Sequence, residues 1–234
     1  MGVVDPFSVA RAAGLELVRK SEGLTLTDGA MELRADFARM LPRLKQGRLQ
    51  QELLVKAARA KGIERPWVID ATAGFGEDSL LLAAAGFTVD LYEQDCVIAA
   101  LLKDALDRAA DDPALAVAVS RMRLHAGEDS IAGLRHVAEL IGRGELAAPD
   151  VVYLDPMFPE RTKSAAVKKK FQLLHHLEQP CTDEESLVEA ALAVHPRKVV
   201  IKRPVKGSLL AGVKPSYRLA GKAVRYDVLV PPRP

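Results

Sequence analysis

Apolar residues in this chain gather into two kinds of run that alternate along it. Short blocks rich in β-branched and other apolar side chains occupy residues 67–70, 88–92, 122–125, 151–154 and 198–201. Such blocks predict strands buried on both faces of a parallel sheet. Between them, residues 78–85, 97–109, 131–142 and 183–194 place apolar side chains three and four apart, the spacing of one helix face. Strand followed by helix, repeated, predicts a doubly wound α/β sheet with helices on both faces. The end of the chain breaks that rhythm. Residues 217–219 and 224–230 read as two strands joined by Ala220-Gly221-Lys222, an antiparallel hairpin closing the sheet. Ahead of the first block, residues 33–61 read as mostly helical and hold Arg34, Arg39, Arg43, Lys45, Arg48, Lys56, Arg59 and Lys61. The expected division is therefore a helical, basic N-terminal extension over 1–62 and a main domain over 63–234.

Composition narrows the class. A chain of 234 residues that is 49% hydrophobic buries one sizeable core rather than two. Lys and Arg outnumber Asp and Glu by 33 to 31, so a basic surface, if present, is local. Cys96 and Cys181 show no CxxC spacing, which argues against a zinc site or a disulfide framework and fits a reducing cytoplasm. Asp5 and Arg11 interrupt the apolar stretches at the N-terminus, and no run has the length of a signal sequence or a membrane span. His175 and His176 are adjacent and the other histidines scattered, so no metal is expected.

Candidate chemistry sits where strands end. After residues 67–70 comes Asp70-Ala71-Thr72-Ala73-Gly74-Phe75-Gly76-Glu77-Asp78, a strand passing through a glycine turn into a helix. Gly74 and Gly76 let the backbone turn sharply and approach a ligand; a tight turn with no ligand is the plain alternative. A dinucleotide would set its pyrophosphate on the following helix N-terminus. Glu77 and Asp78 occupy that turn and would repel it, and Ser79 stands where the third glycine of the dinucleotide fingerprint belongs. A cofactor carrying a sulfonium and an ammonium but no phosphate suits those carboxylates better, which points to S-adenosylmethionine. Glu93, beside Gln94 and about 20 residues past the glycine turn, is placed to reach ribose hydroxyls. Asp129 and Ser130, after the third strand, could meet an adenine, cap the next helix, or do both.

The fourth strand runs into Asp155-Pro156-Met157-Phe158-Pro159. An acid or amide, then Pro, then any residue, then an aromatic is similar to the signature of enzymes that methylate exocyclic amines of bases. The Asp155 carboxylate and the Pro156 carbonyl could accept the amine protons and turn its lone pair toward a methyl group. Phe158 offers a face for the base, a contact worth roughly 1–3 kcal/mol. The alternative is a proline turn leaving a strand with Phe158 in the core. Lys163, Lys168, Lys169 and Lys170 follow directly, and Lys202 and Arg203 end the fifth strand; phosphate contacts are expected of all six, against the alternative of a solvated charged face.

Residues 70–76, Val151 to Pro159, Lys163-Ser164-Ala165 with Val167-Lys168-Lys169, and Val199 to Pro204 together resemble the bacterial 16S ribosomal RNA guanine N2 methyltransferase family, along about residues 36–230. The resemblance implies a Rossmann-like class I S-adenosylmethionine-dependent methyltransferase fold with a mostly parallel seven-stranded sheet, to which a closing hairpin is familiar. It implies S-adenosyl-L-methionine as cofactor, 16S rRNA or the 30S subunit as partner, and N2 of a guanine, position 1516, as acceptor. The donor site it implies comprises Glu77, Asp78, Glu93, Gln94, Asp129, Ser130 and Asp155. The chain departs from the family in carrying Glu77 where an Arg is usual, and in only part of the glycine-rich basic N-terminal stretch. An amine methyltransferase for another RNA or DNA base, a nicotinamide-dependent oxidoreductase and a silent RNA-binding domain are the competing readings.

Overall fold

The structure, a computed structural model, describes residues 4–156 and 183–232. Its large sheet contains β4 (Trp67–Asp70), β5 (Thr88–Glu93), β6 (Met122–Ala126), β7 (Val151–Leu154), β8 (Lys198–Pro204), β9 (Tyr217–Ala220) and β10 (Val224–Leu229), in the order β6-β5-β4-β7-β8-β10-β9. Strands β4 to β8 are parallel, and β10 pairs antiparallel with both β8 and β9. The expected doubly wound sheet with its closing hairpin is thus present.

Side chains on each strand alternate between two apolar layers, as a period of two requires. Val68, Val89, Leu91, Val151, Tyr153 and Val200 enter one layer with α5 (Glu77–Ala84) and α6 (Cys96–Ala110). Ile69, Tyr92, Val152, Leu154, Val199 and Ile201 enter the other with α8 (Ser130–Gly142) and α9 (Glu184–Ala193). Burying each aliphatic side chain is worth about 1.5–3 kcal/mol, so a one-residue slip of any central strand would forfeit several such terms at once. Helices α6, α8 and α9 begin where a carboxylate meets free N–H groups. Asp95 accepts from Val97 and Ile98, Asp129 from Ile131, and Asp183 from Ser186, each cap contributing about 1 kcal/mol.

The N-terminal extension is helical only in part. Helices α1 (Pro6–Ala12), α2 (Leu41–Leu44), α3 (Gln46–Leu49) and α4 (Leu53–Ala58) match the helical expectation, but β1 (Glu16–Lys20), β2 (Gly23–Thr27) and β3 (Glu32–Leu33) form a second, antiparallel sheet that the sequence reading did not foresee. Alternation drives it: Leu17, Leu24 and Leu26 turn inward and join the apolar layer of α6. A polar clasp adds to the apolar contact. Asp104 Oδ2 on α6 accepts from Leu24 N at 3.0 Å and from Arg108 Nε at 2.8 Å, while Arg108 Nη2 donates to the Ala35 carbonyl at 2.6 Å. Gly23 lies at φ +127°, and a Cβ there would stand 2.4 Å from Arg108 Nε, so the approach requires glycine. The short α7 (Ala116–Val119) completes this face. Among the described residues, no helix is long and apolar enough to cross a membrane.

Replacing Asp104 by Ala leaves the Leu24 N–H and the Arg108 guanidinium without their carboxylate. The expected loss is about 1–3 kcal/mol in thermal or urea unfolding. Limited proteolysis should then cut within residues 16–33 before the large sheet opens.

Candidate active site

Between β4 and β7 the strand order reverses: β5 and β6 extend the sheet one way, β8 the other. Ligands of open α/β sheets bind outside the carboxyl ends at such a point. Here the loops leaving four strands are stitched into one rim. Ala71 N donates to the Tyr153 carbonyl at 3.1 Å, and Asp155 N to Thr72 Oγ1 at 2.6 Å, joining the loops after β4 and β7. Gly74 N donates to Glu93 Oε2 at 2.8 Å, Asp95 N to Glu93 Oε1 at 2.9 Å, and Gly127 N to the Glu93 carbonyl at 2.8 Å, bringing in the loops after β5 and β6.

The two glycines of the first loop do different work. Gly74 has φ +53° and no atom within 4 Å of where a Cβ would stand, so its outer side is open to a ligand. Gly76 has φ +73°, and a Cβ there would lie 2.7 Å from Leu102 Cδ1 and 3.3 Å from Phe37 Cζ. Its glycine is required by packing against α6 and the N-terminal extension. Asp70 is buried beneath the loop, where Ser79 Oγ donates to Oδ2 at 2.5 Å and Thr72 N to Oδ1 at 3.0 Å. Burial pushes its carboxyl up to about 7. Asp70 therefore shapes the loop from inside, and Ser79, in place of the fingerprint's third glycine, is its partner.

Behind the rim lies a half-buried ionic cluster. Lys202 Nζ donates to Asp78 Oδ2 at 2.7 Å and to Asp155 Oδ2 at 2.8 Å, and Tyr153 Oη donates to Asp78 Oδ2 at 2.6 Å. Burial alone would depress the lysine ammonium, but Asp78 and Asp155 outweigh it and raise its pKa above the ordinary value. For Asp155 the balance is reversed: burial raises its carboxyl, with Lys202 opposing. Burial and the neighbouring carboxylates likewise raise Tyr153 and Tyr226, the latter paired across β10 and β8 with Lys202. Glu93, pushed up to about 7 by burial, completes a set of carboxylates held at some cost to their charged form.

Two expectations are corrected here. Lys202 and Arg203 were expected at the rim, facing phosphate. They lie within β8, which continues to Pro204; Lys202 is half-buried on one side of the strand and Arg203 is buried on the other. Lys202 is committed to Asp78 and Asp155. Arg203 is 2% exposed and donates to the Ser208 carbonyl and hydroxyl at 2.9 Å. Thr72, Tyr153 and Tyr226 were missed altogether. A lysine at an inward position of an apolar strand was the available signal, since a buried ammonium demands an acid. Of the remaining expected residues, Glu77 and Gln94 are exposed, Asp129 caps α8 beside Ser130, and Pro156 is buried next to Asp155. Phe158, Lys163, Lys168, Lys169 and Lys170 lie outside the described residues.

An open glycine backed by Glu93, and a helix N-terminus bearing the exposed Glu77 beside the Lys202-paired Asp78, suit a nucleoside with a cationic sulfonium better than a pyrophosphate. Among the described residues, no group of three or more His, Cys, Asp or Glu could hold a metal ion. Fold and rim together define a class I S-adenosylmethionine-dependent methyltransferase. The SAM-dependent methyltransferase family matches over residues 6–231. Ribosomal RNA small subunit methyltransferase J of Thioalkalivibrio sulfidiphilus is 42% identical over 229 residues, covering 94% of this chain and 86% of that protein. Its namesake from Pseudomonas paraeruginosa is 43% identical over 203 residues, covering 86% and 75%. A crystal structure of a SAM-dependent methyltransferase from Neisseria gonorrhoeae superposes with a TM-score of 0.73 at 30% identity, covering 97% of this chain and 91% of that one. The chain belongs to the ribosomal RNA small subunit methyltransferase J family, and S-adenosyl-L-methionine is its cofactor.

Lys202→Met would leave Asp78 and Asp155 facing each other with no cation between them. The expected cost is about 2–4 kcal/mol of stability, since 24% of the lysine side chain is exposed and the full buried-pair penalty does not apply. The Asp155 carboxyl should titrate at higher pH, moving the acid limb of the activity profile upward. Lys202→Arg should restore both.

Proposed function

We propose that this protein transfers the methyl group of S-adenosylmethionine to the exocyclic N2 amine of a guanine in 16S rRNA, in the cytoplasm, with position 1516 as the expected site. The small-subunit substrate comes from the names of the relatives, and the observation that carries the chemistry is the placement of Asp155. It leaves the end of β7 with its N–H anchored on Thr72 and one carboxylate oxygen held by Lys202, while 35% of the side chain stays exposed. The cofactor supplies an electrophilic methyl carbon on a sulfonium. Asp155 and the Pro156 carbonyl accept the amine N–H groups, which frees the lone pair from conjugation with the base. A carboxyl raised by burial is also suited to take the proton the amine sheds after transfer. Phe158 stacks on the extruded base, and Lys163, Lys168, Lys169 and Lys170 meet phosphates.

On the donor side, Glu93 accepts the ribose hydroxyls and the Gly74 backbone lies against the cofactor. Gln94, Asp129 and Ser130 border the adenine, and Glu77 and Asp78 favour the cationic end. Asp70 and Gly76 serve the same site by shaping its loop. Residues 1–62 and 63–234 act as extension and methyltransferase domain in this reading.

Labelled donor offered to 30S subunits, naked 16S rRNA and DNA should mark only the ribosomal substrates; label in DNA alone would reject the assignment. Asp155→Ala should lower kcat by about 10²–10³-fold, the usual loss for one preorganised hydrogen-bonding group.

Acidification gives a separate check on Glu93. Its raised pKa of about 7 means that the acceptor-only form is lost as pH falls through neutrality. Between pH 8 and 6 the S-adenosylhomocysteine Kd should rise about tenfold, as one ionised carboxylate is lost. Glu93→Gln should bind weakly at both values, with most of the pH dependence gone.

A further inference from the structure

At the opposite end of the sheet from the rim, a groove of about 780 Å³ opens beneath the amino ends of β4 and β5. Pro66, Ala84, Ala85 and Phe87 form its floor, and Lys56, Arg59 and Lys61 line its wall. The surrounding segment, residues 45–66, holds six cations (Lys45, Arg48, Lys56, Arg59, Lys61 and Arg65) against two acids, Glu52 and Glu64. Glu52 is already taken by a two-pronged bond from Arg43, at 2.9 and 2.8 Å. The rest of the chain carries 29 acids and 27 bases, so the positive charge is concentrated here. All six cations are exposed, and none has an ion pair among the described residues.

We propose that this groove is a second binding surface for the phosphate backbone of the substrate RNA, away from the methyl-transfer cleft. The inference rests on the reading of the protein as an rRNA methyltransferase. Five residues of β-rise separate Pro66 from Ala71, so groove and rim are roughly 16 Å apart along β4. One folded RNA can touch both. Exposed, unpaired Lys and Arg lining a groove are what counterion release exploits. A protein partner would call for aromatic or other apolar anchors at the centre of the contact. None of the exposed large hydrophobics Val4, Val117, Leu146, Val205, Tyr217 and Val230 lies in the groove, and Phe87 is buried. The groove's exposed side chains are polar or charged, with Leu49, Val55 and Phe87 buried and Ile63 half-buried behind them, so its contacts are to backbone rather than to bases.

The test is the triple variant Lys56→Ala, Arg59→Ala, Lys61→Ala in the full chain. Its melting temperature and S-adenosylhomocysteine affinity should match the wild type, because these side chains hold nothing in the fold. Filter binding to naked 16S rRNA should weaken about tenfold near 0.15 M salt, and the slope of log affinity against log salt should flatten by about two to three, close to one unit per lost phosphate contact. KM for the RNA should rise while kcat holds. The exchange Lys56→Arg, Arg59→Lys, Lys61→Arg should bind as the wild type does. Unchanged RNA affinity and salt slope would overturn the proposal, as would a loss seen on 30S subunits but not on naked rRNA, which would assign the groove to a ribosomal protein. A wild type that binds rRNA through the groove but methylates none would refute the underlying enzymatic reading while leaving this one standing.

Discussion

Lys202 is the cation on which the site depends. It sits between Asp78 at the start of α5 and Asp155 at the end of β7, with Tyr153 bonded to the same Asp78 oxygen. Without it two partly buried carboxylates would face one another across a few ångströms, and the cheapest response would be to protonate one or swing it away. With it, the helix N-terminus and the end of β7 are drawn to a common charge. The hydrogen bonds from Asp155 N to Thr72 and from Gly74 N to Glu93 then fix the remaining loops relative to that centre. The rim is a consequence of the ionic cluster behind it as much as of the sheet.

Much of this architecture was legible in the sequence, because parallel strands buried on both faces leave a compositional trace that hardly depends on context. The blocks at 67–70 and 151–154 coincide with β4 and β7, and the chemistry follows where such strands end. The extension was less legible. β1 to β3 alternate over only a few residues, with charged residues and glycine between the leucines, and they gain stability by docking on α6 rather than from local preference.

The sequence pattern singles out residues that sit directly after a strand and says little of those inside one. Ending the fifth strand at Ile201 leaves Lys202 and Arg203 free for phosphate; three more residues of strand bury Arg203 and commit Lys202 to Asp78 and Asp155. Asp70 and Ser79 illustrate a different limit. Asp70 ends a strand block and Ser79 falls in a helical stretch, yet their mutual bond at 2.5 Å depends on the pitch of α5 against β4, which no local pattern records.

Gly76 connects the two halves of the molecule in a way that short motifs conceal. Its missing side chain leaves room for the ring edge of Phe37, from the extension, and the methyl of Leu102, from α6. Positions 37, 76 and 102 therefore share one fixed volume, and a lineage that enlarged any of them would have to shrink another. The glycine turn of the cofactor loop is, at this position, a record of what the N-terminal segment packs against, and divergence in that segment would be written into the motif itself.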